Sequence, residues 1–159
     1  MNTKSERQPQ IDRDVGKLAP FFLSRLNAAL ADCQSLGFRV AMFEGFRSAA
    51  RQEWLYSQGR SRPGKIITNA KAFESWHCFG LAADIAYRTP NGHWTWDGDF
   101  LRLVPIFKAR GLKWLGAWDA GHWELHGKVS LKKAKIIYDR EGLEAVWDAV
   151  KREFRQEGQ

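Results

Sequence analysis

Apolar residues recur at two different intervals along the chain, and these intervals predict a fold of mixed helices and strands. Between Leu18 and Leu36 they follow a helical period, and Gly37 ends the segment. Residues 38–43 and 81–87 are predicted as short strands. The remaining predicted elements are a helix over 49–57 capped by Ser48, a hairpin return strand over 93–96, a helix over 100–110 that contains Pro105, strands over 113–116 and 123–125, and helices over 130–138 and 143–154. This irregular alternation favours an α+β fold in which helices flank a small, mostly antiparallel sheet.

The length of 159 residues indicates one domain, 1–159. Within it we distinguish a polar N-terminal lead-in, 1–16, a core, 38–126, and C-terminal helices, 130–157. The N-terminus lacks the apolar stretch of a secretory signal, and no segment approaches the roughly 18–20 apolar residues of a membrane span. We therefore expect a protein made in the cytoplasm without a signal peptide and without membrane insertion.

The formal charge of +7 suits an anionic partner, which could be nucleic acid, a membrane face or an anionic polymer. The excess is concentrated between Arg47 and Lys71, where Glu53 is the only acid. The two cysteines, Cys33 and Cys78, lack CxxC spacing, so we expect reduced thiols and no disulfide framework.

Two clusters of polar residues have the composition of a metal site. The first places His77 and Asp84 seven residues apart around Gly80, which lets the chain fold back, and the second contains His122. Asp84 lies among apolar residues, where a carboxylate has to be paired or metal-bound. Two imidazoles and one carboxylate with an open position fit one Zn²⁺ ion better than magnesium or calcium, although iron uses the same set. The alternative is an Asp84–arginine ion pair beside a core histidine.

A hydrolytic site also needs a group that moves the proton, and two carboxylates compete for this role. Asp119 is favoured, because its loop position three residues before His122 lets it reach over the metal without binding it. Glu124 would share a strand face with His122, where it could instead bond a ligand histidine or form a salt bridge. The other candidates are expected to lie at the surface or around the ligands (His126), in solvent (His93) and in the core (Cys78).

Arg47 follows the first predicted strand and could hold a substrate carbonyl or carboxylate and stabilise an oxyanion. Its alternative is a simple ion pair with Glu44 or Glu53. Gln52 and Tyr56 follow at helical spacing and are candidates for substrate contact or for the shell around the site, although helix packing explains such positions more often.

These positions combine into two motifs, Ser75-x-His77-x-x-Gly80-x-Ala82-x-Asp84 and Asp119-x-x-His122. By these motifs the chain resembles the zinc peptidoglycan peptidases of the VanY and D-alanyl-D-alanine carboxypeptidase group. Residues 44–48 and 52–68 are similar to one branch, the L-alanyl-D-glutamate endopeptidases found as phage and prophage endolysins. The resemblance spans 38–126, and it implies the small α+β metallopeptidase fold that is also seen in the hedgehog signalling domain.

The resemblance also implies a role for each motif residue. The zinc ligands would be His77, Asp84 and His122, the catalytic acid/base Asp119, the substrate and oxyanion arginine Arg47, and a supporting hydrogen-bond residue Ser75. Many relatives carry Glu where this chain has Asp119, and the shorter arm would affect reach. No separate cell-wall-binding domain is visible in the sequence.

We therefore expect a monomeric zinc metallopeptidase that hydrolyses the peptide stem of bacterial peptidoglycan at the L-alanyl-D-glutamate bond. As a bacteriolytic, antimicrobial endolysin it would act on the cell wall after release through a separate pore-forming protein. The alternatives are a D-alanyl-D-alanine carboxypeptidase of wall remodelling, a non-enzymatic zinc module, and a nucleic-acid binder, for which charge is the only support. The basic residues expected to hold the anionic polymer near the cleft are Arg51, Arg60, Arg62 and Lys65.

Overall fold

The computed structural model of the protein describes residues 7–156, so residues 1–6 of the predicted lead-in and residue 157 of the predicted helical end lie outside the described part. The helices are α1 (Pro20–Ser35), α2 (Ala49–Ser57), α3 (Val104–Ala109), α4 (Leu131–Glu141) and α5 (Leu143–Gln156). The strands are β1 (Val40–Glu44), β2 (Ala82–Arg88), β3 (Trp94–Thr95), β4 (Lys113–Trp114) and β5 (His122–Glu124).

The five strands form one antiparallel sheet in the order β1-β2-β5-β4, and β3 pairs with the far end of β2. The predicted α+β class is therefore confirmed. One face of the sheet is closed by helices: Trp123 of β5 is fully buried and stacks on Phe107 of α3, with ring centroids 4.7 Å apart. Because side chains alternate along a strand, the neighbours of Trp123 point to the opposite face.

Hydroxyl caps begin α2, as the sequence predicts, and α4, whose predicted range starts at the capping serine. Ser48 Oγ accepts from Arg51 N at 3.1 Å, and Ser130 Oγ accepts from Lys133 N at 3.1 Å. The helix predicted over 100–110 is wrong as a single element. A 3-10 turn, Phe100–Leu103, precedes α3, and Pro105 lies in the first turn of α3, where its missing N–H breaks no helical hydrogen bond.

The described part of the lead-in is attached to the sheet rather than separate from it. The Asp12 carbonyl accepts from Gly45 N at 3.0 Å, and the Pro9 carbonyl accepts from Arg51 Nη1 at 3.3 Å. These contacts bring residues 9–12 beside the end of β1, and hence close to the residues that follow it.

Cys33 and Cys78 are both buried and free, as expected, and burial raises the pKa of Cys33 to about 11. None of the helices formed by residues 7–156 combines the length and the apolar character that crossing a bilayer requires.

Candidate active site

The three side chains predicted as metal ligands converge on the open face of the sheet. Asp84 lies on β2 directly opposite His122 of β5 in the antiparallel register. His77 approaches from a 3-10 turn, Trp76–Phe79, that leads into β2. The strand pairing therefore places two of the ligands, and the turn places the third.

The conformation of the turn depends on the residues at its ends. Ser75 begins it by accepting a hydrogen bond from His77 N at 3.3 Å. Gly80 ends it in the left-handed region with φ 65°, where a Cβ would also lie 2.3 Å from the Lys17 carbonyl oxygen. Only glycine fits there, so Gly80 is required both for the turn and for the close approach of the N-terminal segment.

The three candidate ligand atoms form a nearly regular triangle. His77 Nε2 lies 3.2 Å from Asp84 Oδ1 and 3.2 Å from His122 Nδ1, and the latter lies 3.3 Å from Asp84 Oδ1. A tetrahedral zinc ion with bonds of about 2.0–2.1 Å separates its ligand atoms by about 3.3 Å. The residues therefore fit one zinc ion with a vacant fourth position. In residues 7–156 they are the only group of three or more candidate ligands that could hold a metal ion.

The two histidines face the triangle with different ring nitrogens. His77 Nδ1 lies 2.7 Å from the Gly45 carbonyl, which as an acceptor fixes the proton on Nδ1 and leaves the Nε2 lone pair free. His122 instead contacts the Glu124 carboxylate through Nε2, at 2.8 Å, and turns Nδ1 inward.

Burial and charge shift the pKa values of these groups in opposite directions. Burial, reinforced by nearby Arg47, lowers the pKa of His77. Burial also opposes charge on His122, but its hydrogen bonds to the carboxylates of Asp84 and Glu124 outweigh this effect and raise the pKa to about 9. Burial disfavours the Asp84 carboxylate too, yet His77, His122 and Arg47 hold its pKa well below the ordinary value.

Arg47 contacts the metal centre from the β1 side. Its Nη2 donates to Asp84 Oδ2 at 2.5 Å, so Asp84 offers one oxygen to the arginine and the other to the triangle. Its Nε lies 3.1 Å from Glu44 Oε2, an ion pair outside hydrogen-bond geometry. The alternative pairing with Glu44 therefore occurs, whereas Glu53 accepts from the backbone N of Ala72 at 2.7 Å.

Glu124 lies between two histidines. It accepts from His122 through Oε2, and its Oε1 lies 2.9 Å from His126 Nε2, which explains why its pKa falls to about 2 against the effect of burial. His126 stacks on Trp76 with ring centroids 4.4 Å apart, so it lies behind the ligands, as the sequence suggests. Both Glu124 oxygens are engaged, which makes it a group that orients His122.

Asp119 lies across the open side of the triangle. It ends a short 3-10 turn, Ala117–Asp119, and its Oδ2 is 4.0 Å from His122 Nδ1. The side chain is 44% exposed, and partial burial raises its pKa. A carboxyl group with a raised pKa, which faces His122 at 4.0 Å and lies beside the fourth position of the metal site, has the properties of a general acid/base.

The remaining candidates differ in their access to the cleft. Ser75 lines it, whereas Gln52 and Tyr56 do not. Gln52 is fully buried and donates to the Ala70 carbonyl at 2.8 Å, while its Oε1 lies 3.5 Å from Arg47 Nη1. The Tyr56 ring lies beneath the Arg60 guanidinium, 3.9 Å away. Gln52 is therefore placed to orient Arg47, and Tyr56 to support the neighbouring loop.

The basic residues predicted to hold the polymer are largely occupied by the protein itself. Arg51 is 5% exposed and its Nε donates to Glu44 at 2.8 Å. Arg60 Nη1 donates to the carbonyls of Tyr56 and Thr68. Of the predicted set, Lys65 is exposed. The charge of this segment therefore stabilises the loop that borders the cleft.

The cleft has a volume of about 850 Å³ and an apolar rim that the sequence did not identify. Exposed rim residues are Ile66 (58%), Ile67 (61%), Trp96 (51%) and Trp118 (78%). Two signals could have found them: an isoleucine pair inside a basic Pro/Gly loop, and a tryptophan immediately before the acid/base candidate.

The sheet, the three-ligand triangle and the free carboxyl group together define the class as a metallopeptidase-type site. Residues 68–125 match the family described as D-alanyl-D-alanine carboxypeptidase. The chain is also 37% identical over 111 residues to peptidoglycan L-alanyl-D-glutamate endopeptidase CwlK of Bacillus subtilis (strain 168), covering 64% of this chain and 66% of that protein, just under two thirds. The resemblance predicted from the motifs is confirmed: residues 68–125 are similar to this family of peptidases, and the alignment with CwlK extends the similarity to 111 residues.

Solved structures show the same fold. The L-Ala D-Glu endopeptidase ChiX of Serratia marcescens aligns with a TM-score of 0.51 and 19% identity over 74% of this chain and 87% of its own. The LD-carboxypeptidase LdcB aligns with a TM-score of 0.55 and 20% identity over 90% and 77%. The L,D-carboxypeptidase DacB from Streptococcus pneumonia gives 0.53 and 21% over 82% and 76%.

Proposed function

We propose that this protein uses one zinc ion to hydrolyse the peptide stem of bacterial peptidoglycan at the L-alanyl-D-glutamate bond. The observation that carries the proposal is the triangle of His77, Asp84 and His122, whose spacing of 3.2–3.3 Å fits a tetrahedral ion with one open position. The choice of bond is supported by the 37% identity to an endopeptidase of that name.

A bound zinc ion would supply Lewis-acid activation of water and of the scissile carbonyl. The protein's own residues transfer the protons and orient the side chains that would bind the metal. Asp119, beside the open position, takes a proton from the attacking water and returns it to the amine that leaves. The water oxygen loses this proton as the new C–O bond forms, and the leaving nitrogen gains it as the C–N bond breaks. Arg47 holds Asp84 in place, and Glu124 and the Gly45 carbonyl fix the two imidazole rings.

We further propose that the protein acts as a monomeric endolysin of phage or prophage origin, which reaches the wall through a separate pore-forming protein. The similarity of residues 44–48 and 52–68 to that branch supports this proposal. A lytic role predicts that added protein clears suspensions of permeabilised bacteria, and that His122→Ala does not.

A D-alanyl-D-alanine carboxypeptidase is the second candidate, because the matched family carries that description. Mass spectrometry of purified muropeptides distinguishes the two. Cleavage after L-alanine supports the endopeptidase, and release of terminal D-alanine alone overturns it.

The His122→Ala variant tests the metal dependence in the same assay. We expect it to lose bound zinc, measured by elemental analysis, together with hydrolysis. A wild-type protein that binds zinc and cleaves no muropeptide would identify a zinc-stabilised binding module instead.

A further inference from the structure

Within residues 7–156, four arginines near the start of β1 and the β2–β3 hairpin have no acidic ion-pair partner. Arg13, Arg39, Arg88 and Arg102 form no ion pair with any residue between 7 and 156. Asp32, the acid of neighbouring α1, is occupied by Arg110 through contacts of 2.6 and 2.8 Å. We call these four residues the arginine patch.

Aromatic rings position three of the four guanidinium groups. Arg88 lies 4.2 Å and Arg13 5.0 Å from the centre of the Trp94 ring, and Arg102 lies 4.9 Å from that of Phe38. A guanidinium against a ring is limited in its motion, and its N–H groups remain available for a carboxylate or phosphate. The arginine patch thus presents pre-ordered donors that no ion pair within the described residues neutralises.

The arginine patch also borders a shallow cavity. Arg39 and Arg88 line a space of about 530 Å³ together with Phe38, Asn27 and Gln34. The backbone joins the two arginines, because Arg88 N donates to the Arg39 carbonyl at 2.7 Å. Two cations and two side-chain amides around one cavity suit a ligand with several anionic and polar groups.

A line of aromatic rings connects the arginine patch to the cleft. Phe43 lines the cleft, and its ring centroid lies 5.3 Å from that of Trp94, on which Arg13 and Arg88 lie. Arg13 also lies 5.2 Å from the Phe43 ring, so the arginine patch begins at the edge of the cleft and an extended polymer could contact both.

We propose that the arginine patch is a second binding surface for peptidoglycan, which takes free stem carboxylates of the same polymer while another stem occupies the cleft. The proposal rests on the proposed function. In this proposal the arginine patch, and not the loop of residues 60–65, is the main basic contact with the polymer. Arg60 of that loop already donates to backbone carbonyls.

The test compares polymeric and small substrates. In a variant with Arg13, Arg39, Arg88 and Arg102 changed to Gln, we expect KM for purified sacculi free of teichoic acid to rise about tenfold, as the loss of several modest ion pairs implies. Hydrolysis of a soluble disaccharide-tetrapeptide, which has a single stem and so cannot occupy the cleft and the arginine patch with two stems, should stay within twofold of wild type. The salt dependence of sacculus binding should also flatten.

The matched control changes Arg140, Lys151, Arg152 and Arg155 to Gln, which removes the same charge from exposed positions of α4 and α5. It should leave KM for sacculi within twofold. Arg39→Gln with Arg102→Gln, both at exposed positions, gives a milder variant if the fourfold change lowers the melting temperature.

Three results would overturn the proposed role of the arginine patch. They are equal KM values on sacculi for the patch variant and wild type, equal increases in KM for the patch and control variants, or a loss of activity on the small substrate as large as that on sacculi. Weakened binding to a DNA duplex at physiological salt, with unchanged KM for sacculi, would assign the arginine patch to nucleic acid. Wild-type protein that cleaves neither substrate would instead reject the proposed function, and co-sedimentation with sacculi would then test the arginine patch alone.

Discussion

The two sides of the metal centre are built from different chemistry. On one side, His77 is held by the neutral carbonyl of Gly45, and on the other, His122 is held by the charged carboxylate of Glu124. Both rings are buried, yet the pKa of His77 is lowered and that of His122 is raised to about 9. Burial and the nearby Arg47 dominate at His77, whereas the carboxylates of Asp84 and then Glu124 outweigh burial at His122.

Burial alone therefore does not determine whether a histidine is uncharged and able to bind a metal ion. A neutral acceptor orients the ring and leaves it uncharged, so that side is prepared for a metal ion at neutral pH. A carboxylate orients the ring equally well and increases its basicity, so a metal ion has to displace a proton there. The His122 side also carries Asp119, which concentrates the proton chemistry on one half of the centre.

The largest effect is expected from Asp119, which separates proton transfer from metal binding. Asp119→Ala should lower kcat on muropeptides about 10²- to 10⁴-fold, because the general acid/base is lost, while zinc content stays at one ion. Stopped assays and elemental analysis check the two values. Loss of zinc together with activity would make Asp119 a ligand, and full activity would move the base to Glu124.

Glu124→Gln tests the carboxylate that distinguishes the His122 side. We expect the zinc Kd to rise about 10- to 100-fold, because the ring loses its charged partner. Competition titration with a chelating dye measures it. Glu53→Gln is the matched control, since Glu53 hydrogen-bonds the backbone of Ala72. An unchanged Kd in Glu124→Gln would mean that the two sides do not differ as described.

The pH dependence of zinc binding follows from the His122 proton. Because its pKa is raised to about 9, zinc affinity should increase about tenfold per pH unit from pH 7 to 9 and level off above 9. In the metal-free protein, charged His122 stabilises the fold fully below its ordinary pKa, and this stabilisation is lost as pH rises through about 9. Zinc titration and thermal melting measure the two trends; a flat affinity over this range would contradict the difference between the sides.

The smallest effect is expected at the rim. Trp118 is 78% exposed, and its indole N–H donates to the Leu115 carbonyl at 3.1 Å, which fixes the ring beside the cleft. Trp118→Ala should raise KM about 2- to 10-fold, the value of one lost aromatic contact, with kcat and melting temperature nearly unchanged. Leu101→Ala, at an exposed apolar residue outside the cleft, is the control. A fall in kcat without a change in KM would remove Trp118 from substrate binding.

The sequence was sufficient to nominate the three candidate ligands because two short motifs contain them, although their convergence depends on the pairing of β2 with β5. Strand alternation puts Asp84 and His122 on one face, and the glycine after the His77 turn brings the third ligand back. Ser48 and Ser130 likewise mark the starts of their helices, because each hydroxyl caps a backbone N–H only three residues away.

Other features depended on contacts between distant segments, which no local pattern records. The bond from Arg47 to Asp84 spans 37 positions, and the burial of Arg51 depends on Glu44 and on Pro9 of the lead-in. A basic residue in a loop sequence is therefore insufficient evidence of a free surface charge, because its partner can come from anywhere in the chain.

The close approach of Gly80 to the Lys17 carbonyl has a practical consequence. Since Ala19 N also donates to the Gly80 carbonyl at 2.9 Å, the segment before α1 braces the turn that carries His77. Trimming that segment to shorten an expression clone, or crowding it with a rigid fusion partner, would weaken zinc retention before it altered the helices.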